Sequence, residues 1–418
     1  MTSDQSTSPE FGVTSEIGRL RRVIMHRPGL EIARLTPQNH QALLFDDILW
    51  TERAGEEHDR FADILKSRGV EVLYLRDLLG ETLMDGHVRG LMVNEVVTPR
   101  TCGMKVSSRL RTALLECELN DLLDVLLGGL LKSELSDFGV DALFADVVAN
   151  RYDYVLPPLP NLFFTRDNAA WIGSGVALSV LATPARSRES LYLRAIYRFH
   201  PLFKNAGFPF WYGRDEAHRY PASLEGGDVL VLSDKTVLVG CGERSVPAAA
   251  EILAHRLLRE AGYDNVIVAH FRKGRAIMHL DTVLTMVDVD KFNFFPGVQT
   301  GMDVFILNRG TGSELSATKT DGIVDALRRC LDRPLQFIAS GEDEISYVRE
   351  QWEDGHNTVA IAPGTVVAYM RNSETNRRLR DAGVEVLELD ASELCRGRGG
   401  SRCMTQPVLR DPVDWNAS

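Results

Sequence analysis

The chain has 418 residues, 44% of them hydrophobic and 25% charged, which is the balance of a globular protein able to bury a sizeable core. Its formal net charge of −11 argues against nucleic acid as a partner, because a phosphate-binding surface needs clustered Lys and Arg; a small cationic substrate remains compatible with it. Met1 to Glu10 is polar and does not read as a secretory leader. The run Leu122 to Leu131 is broken by Asp124 and two glycines, too short for a bilayer, so no membrane partner is expected.

The first predicted strand is Arg22 to Met25. From Asp77 to Ala149 the pattern turns helical, with Leu110, Ala113, Leu114, Cys117 and Leu122 at helical spacing. This predicts a helical-bundle insertion over 77–149 between the two parts of a larger unit, 12–76 and 150–418. Leu156-Pro157-Pro158-Leu159-Pro160 forbids further helix and marks the return to strands. Four similar segments follow: Ala169 to Val180, Asp228 to Val239, Thr282 to Phe295 and Thr358 to Met370. Each reads as strand, tight turn, strand, with turns at Gly173, Ser233, Asp288 and Pro363. Helices are expected at Pro247 to Ala261 and Asp321 to Leu331. Repetition at roughly 50 to 75 residues predicts an α/β fold built as a ring of αβ modules. Gly297 to Leu315 is glycine-rich and carries no assignable motif.

The six cysteines, Cys102, Cys117, Cys241, Cys330, Cys395 and Cys403, form no C-x-x-C pair. They read as reduced thiols of a cytoplasmic protein, with no zinc site, and the zinc-deaminase pattern is absent. Neither a metal nor a cofactor is expected. Cys403 follows Arg396-Gly397-Arg398-Gly399-Gly400-Ser401-Arg402, a glycine-rich basic loop suited to a nucleophile, whose pKa Arg398 and Arg402 would lower. The alternative is an ordinary loop cysteine. On a strand, His279 and Asp281 would share one face and offer a proton shuttle beside a cation anchor; taken alone, His279 reads better as a satisfied half-buried histidine. Glu225 stands before an apolar strand with two glycines after it, and Asp167 leads into a hairpin; singly, each fits a turn carboxylate. Together, a thiol, an imidazole and three carboxylates at module starts suit a guanidinium, which is planar, charged and open to bidentate pairing.

The motifs Ser15-Glu16-Ile17-Gly18, His26-Arg27-Pro28-Gly29, Leu43-Leu44-Phe45-Asp46-Asp47, Pro160 to Asp167, Glu225-Gly226-Gly227-Asp228, His279-Leu280-Asp281-Thr282, Gln351-Trp352-Glu353-Asp354-Gly355 and Arg402-Cys403-Met404 occur in one order. In this the chain resembles the arginine deiminases, within the guanidino-modifying enzymes, from about Ser15 to Pro412. The resemblance implies a pseudo-fivefold αβ propeller with an inserted helical bundle. It implies hydrolysis of free L-arginine to L-citrulline and ammonia through a covalent thiouronium on Cys403. His279 would serve as acid and then base, Asp167 and Asp281 would hold the guanidinium, and Glu225 would orient substrate and help in proton transfer. Arg186 and Arg244 would clamp the substrate carboxylate, Asn161 and Phe164 would meet its α-amino group and stem, and Arg398 would gate the site. A homo-oligomer is expected. Relatives commonly place His or a Pro-Arg pair before the nucleophile, where this chain has Ser401-Arg402. An amidinotransferase and a non-catalytic arginine-binding protein are the competing readings. Gln351 to Asp354, Trp171 and Trp211 read as structural.

Overall fold

The computed structural model describes residues 10–140, 153–214, 221–312, 314–339 and 344–415. Among these, one unit recurs five times: an antiparallel strand pair, then a helix, then a third strand parallel to the second. Ala169–Ile172 and Gly175–Leu178 form such a pair, and Phe210–Tyr212 returns parallel after the helix Glu189–Phe199. Val229–Val231, Thr236–Cys241 and Asn265–His270 repeat the order around Pro247–Glu260. Leu284–Met286, Lys291–Phe294 and Gln336–Ala339 do so around Ile323–Leu331. Val359–Ala362, Thr365–Tyr369 and Glu385–Leu389 do so around Ser373–Asp381. In the remaining unit the two ends of the chain meet. Gln406–Arg410 pairs antiparallel with Leu20–Met25, which pairs parallel with Glu71–Tyr74 after the helix Thr51–Ser67.

The sequence explains these elements locally. Val229–Val231 and Thr236–Cys241 are buried along their whole length, so they read as continuous apolar runs. Between them, Ser233 Oγ accepts the Lys235 N–H at 3.2 Å and closes the turn. Pro247 occupies the first turn of its helix, where no N–H is needed, and Ala250, Leu253, Ala254, Leu257 and Leu258 bury one face. The four predicted hairpins and both predicted helices are present. The parallel third strands, only three to six residues long, carry little pattern of their own. Gly297 to Leu315 belongs largely to an extra antiparallel hairpin, Asp303–Arg309 with Leu315–Lys319, which widens its sheet to five strands.

The helical stretch is Leu75–Leu83, Gly86–Val96, Pro99–Cys102, Met104–Glu116 and Leu119–Gly128. Asp85 caps the second of these by accepting the His87 and Val88 N–H groups. Leu110, Leu114 and Leu122 are buried, and they share one hydrophobic core with Trp171, Val176 and Tyr192 of the neighbouring unit. The expected boundary at 149–150 lies outside the described residues. Among the described residues, no helix is long and apolar enough to cross a membrane.

Candidate active site

Each unit begins with a short turn just ahead of its first strand, and the candidate residues sit in these turns, two to five residues before the strand. Asp167 lies in the turn before Ala169–Ile172, and Glu225 leads the turn Gly226–Asp228 before Val229–Val231. His279 and Asp281 flank Leu280 before Leu284–Met286, and Cys403 precedes Gln406–Arg410. Strand alternation does not place His279 and Asp281. The backbone enters a 3-10 turn at Leu280, whose N–H donates to Asp228 Oδ1 at 2.8 Å, and the turn carries both side chains to the site.

All five residues meet, none of them more than 4% exposed. His279 Nε2 donates to Glu225 Oε2 at 2.7 Å, and His279 Nδ1 lies 3.6 Å from Asp167 Oδ1. The Cys403 thiol faces Asp281 Oδ2 at 3.8 Å. Glu225 is held by the Ala182 N–H at Oε1 and by Ser245 at its own N–H. The glycine pair after it makes room: a Cβ at Gly227 would stand 2.8 Å from the His279 ring and 2.9 Å from Asp167 Oδ1.

The two aspartates are arranged alike. Asp167 Oδ2 accepts from Arg186 Nη1 at 2.6 Å, and Asp281 Oδ2 accepts from Arg402 Nη1 at 2.7 Å. The second oxygen of each, Oδ1, is buried without a hydrogen-bond partner. Buried acceptors are normally satisfied, so this pair marks a place prepared for a donor-rich cation.

The electrostatics follow from burial among carboxylates. Burial opposes charge on His279, but Asp167, the Glu225 hydrogen bond and Asp228 outweigh it and raise its pKa to about 9. Burial likewise disfavours the Glu225 carboxylate, and His279, Arg244 and Arg186 overcome this, taking it down to about 2. The pair is therefore an imidazolium–carboxylate pair at neutral pH. The sequence predicts a lowered Cys403 thiol, and here the structure differs. Burial first, then Asp281, Asp167 and Asp354, push the thiol well up, with Arg402 pulling the other way. Arg398 is not near enough to count, because its guanidinium stacks 3.3 Å above the Trp352 ring. Asp167, Glu225 and His279 could also bring three metal-ligand atoms within 4.8 Å of one another.

The outer candidates surround this centre. Arg244 is 2% exposed; its Nε and Nη1 lack hydrogen-bond partners, although Nη1 lies 3.7 Å from Glu225 Oε2. Arg186 is more fully engaged. Beyond Asp167 it donates twice to Glu189 and once, from Nη2 at 3.3 Å, to the Asn161 carbonyl, which leaves one of its five N–H groups. The Asn161 amide donates to the Leu43 carbonyl at 2.8 Å. Phe164 stacks on Phe163 with centroids 3.9 Å apart. Arg398, in a left-handed conformation, is 7% exposed and lacks partners at Nε and Nη1. It lines a pocket of about 270 Å³ with Asp46, Asp47, Trp352, Glu353, Arg371, Cys395 and Arg396.

Sequence reasoning gave Asp228 and Asn357 no role in holding the centre, and gave Arg402 only that of a charge beside the thiol. Asp228 joins two turns by accepting from Leu280 and Ser245. Arg402 is fully buried and binds Glu16 through two hydrogen bonds as well as Asp281. Asn357 binds both Cys403 and Asp281 backbones. Asp228 and Glu16 lay inside quoted motifs; for Asn357, which follows such a motif, only its place before a strand was available as a signal.

Comparison with known proteins shows the fold and the family. Solved structures show the same fold at low identity. An AgrE mutant in binary complex with L-arginine matches with a TM-score of 0.54 at 17% identity, over 95% of this chain and 40% of AgrE. The chain thus spans about 40% of that longer protein. The N-terminal domain of ArgZ, a cyanobacterial arginine dihydrolase solved with substrate, matches with a TM-score of 0.53 at 15% identity over 94% and 99% of the two chains. Sequence relatives are nearer. An arginine deiminase of Rhodococcus opacus is 44% identical over 98% of this chain and 99% of its own length. One of Bacillus cytotoxicus is 42% identical over 96% and 98%. The arginine deiminase family model matches residues 41–410. With a family match across nearly its whole length and relatives of this identity, the chain belongs to the arginine deiminase family.

Proposed function

We propose that this protein hydrolyses free L-arginine to L-citrulline and ammonia, with Cys403 as nucleophile. The observation that carries this reading is the pair of unpartnered oxygens, Asp167 Oδ1 and Asp281 Oδ1, beside one buried thiol and one imidazolium. A guanidinium fills both with N–H donors and brings a positive charge into a strongly negative site. That charge offsets the carboxylates that hold the thiol proton, so the proton passes to solvent as substrate enters, His279 being already protonated, and returns to the sulfur when the thiolate is freed. The thiolate then attacks the guanidinium carbon, and His279 gives its proton to the departing ammonia. This leaves a thiouronium bearing the rest of the amino acid. Neutral His279 next accepts a proton from the attacking water, and collapse expels the thiolate and citrulline. Glu225 orients His279 and favours its protonated form before ammonia leaves and again after water attacks.

Arg244, whose Nε and Nη1 make no hydrogen bond and only 3.7 Å ion pairs to Glu243 and Glu225, is the main receptor for the substrate carboxylate; Arg186 adds its one remaining N–H while holding Asp167. Asn161 and Phe164 line the α-amino group and stem. Arg398 gates the site, a role that its place on the nucleophile's loop, five residues before Cys403, supports. We also place the five units in a pseudo-fivefold ring, with 77–149 as an insertion into the catalytic part formed by 12–76 and 150–418. The convergence of turns from separate units on one centre supports this. A cytoplasmic setting fits six unpaired cysteines. Homo-oligomer formation fits the exposed Met84, Leu91 and Met104 of the insertion.

The test is incubation of purified protein with arginine, with agmatine, and with arginine plus glycine. Citrulline and ammonia from arginine alone are expected. Amidino-glycine as the main product would make the protein an amidinotransferase, and equal turnover of agmatine would remove the carboxylate clamp.

A further inference from the structure

Four of the five turns that precede a unit's first strand supply the proposed chemistry: Asp167, Glu225, the His279–Asp281 pair and Cys403. The fifth supplies Asn357, two residues ahead of Val359–Ala362 and 1% exposed. Its side chain spans the two reacting partners. Oδ1 accepts the Cys403 N–H at 3.0 Å, and Nδ2 donates to the Asp281 carbonyl at 3.1 Å. The amide orientation is set by chemistry, since a backbone N–H can only donate and a carbonyl can only accept.

The segment around Asn357 is anchored on both sides. The Gly355 carbonyl accepts from Asn293, and the His356 carbonyl from Thr285, in the preceding unit. On the other side Ser401 Oγ accepts the Val359 N–H and donates to the Val367 carbonyl. Gly400 has no Cβ where one would stand 2.5 Å from the Asn357 carbonyl, so the nucleophile loop lies directly on this residue. Asn357 is thus a short, fully buried brace between the backbone that carries the thiol and the backbone that carries a guanidinium-binding carboxylate.

We infer that Asn357 is a positioning residue that fixes the Cys403 sulfur relative to the guanidinium carbon held by Asp281. The inference rests on the function proposed above and deepens it. Displacements of about 1 Å in such an arrangement cost roughly a hundredfold in rate. The contact is made to protein backbone in every state, so its loss falls on kcat rather than on substrate binding.

Two variants test this, with kcat and KM measured separately. N357L keeps the volume but leaves the Cys403 N–H and Asp281 carbonyl unpaired; kcat should fall about 100-fold with KM changed less than about threefold. N357D can act as an asparagine only while protonated, with one O–H donor and one acceptor. Its kcat relative to wild type should rise steadily as pH is lowered. Asp281, Asp167, Asp354 and Arg402, the charged groups facing Cys403, are present in both proteins, but the new carboxylate adds to them, so N357D is read only together with the uncharged variant. If N357L does not fold, N357A takes its place. A wild-type kcat in N357L, or a pH-independent N357D ratio, would overturn the inference. Wild-type citrulline formation is assayed in parallel. Should wild type make none, the proposed function fails by itself, and the pH dependence of Cys403 alkylation by iodoacetamide, compared among N357D, N357L and wild type, still decides the role of Asn357.

Discussion

At the scale of single residues, the protonation states of His279 and Cys403 govern what the centre can do. The His279 pKa is raised to about 9, so the imidazolium and its pairing are complete below the ordinary value of 6.5 and are lost as pH rises through about 9. The proposed mechanism needs that proton, so kcat/KM should fall on the basic side with a midpoint near pH 9, as a pH–rate profile would show; a flat profile to pH 10 would remove His279 as the acid. Arg244→Ala should raise KM about 30-fold, from the loss of about 2 kcal/mol of charge-assisted pairing, with kcat little changed. Steady-state kinetics on arginine would check this, and an unchanged KM would place the carboxylate elsewhere. Arg186→Ala should instead lower kcat as well, because Arg186 also holds Asp167.

At the scale of elements, the turns ahead of the strands matter more than the strands. Gly227 shows why: any side chain there enters the space between the His279 ring and Asp167 Oδ1. Gly227→Ala should therefore cost at least about 100-fold in kcat while circular dichroism stays native; activity within a factor of a few of wild type would mean the turn has slack. The hairpins were legible in the sequence because Val229–Val231 with Thr236–Cys241, and their counterparts, alternate apolar runs with turn residues. The site residues were legible because they stand just before those runs, Glu225 beside a glycine pair and Cys403 after a glycine-rich loop. The parallel third strands were not, since Phe210–Tyr212 and Gln336–Ala339 are short and take their conformation from a neighbour formed earlier in the chain. The thiol pKa was also misjudged from sequence. Arg398 and Arg402 lie close to Cys403 along the chain, but one stacks on Trp352 and the other spends its charge on Glu16 and Asp281.

At the scale of the whole molecule, segments far apart in the chain are joined at the centre. Leu20–Met25 pairs with Gln406–Arg410, and Arg402 connects Glu16 near one end to Asp281 in another unit. Glu16 is held down to about 2; burial opposes its charge, and Arg402 and Arg166 overcome that. Removing Arg402 leaves two buried carboxylates uncompensated, so Arg402→Met should destabilise the protein by about 3–5 kcal/mol in chemical denaturation; a loss below about 1 kcal/mol would mean the link is dispensable. The central claim is that turns from separate units bring a sulfur against a guanidinium carbon gripped by two aspartates. Acid quenching during turnover of arginine labelled at its guanidinium carbon, followed by peptide mass spectrometry, tests it most directly. The account predicts labelled arginine less ammonia attached at Cys403, absent in Cys403→Ser, which should remain folded with under about 1% of wild-type turnover. Turnover at the wild-type rate in Cys403→Ser, or a labelled adduct on any other residue, would contradict it.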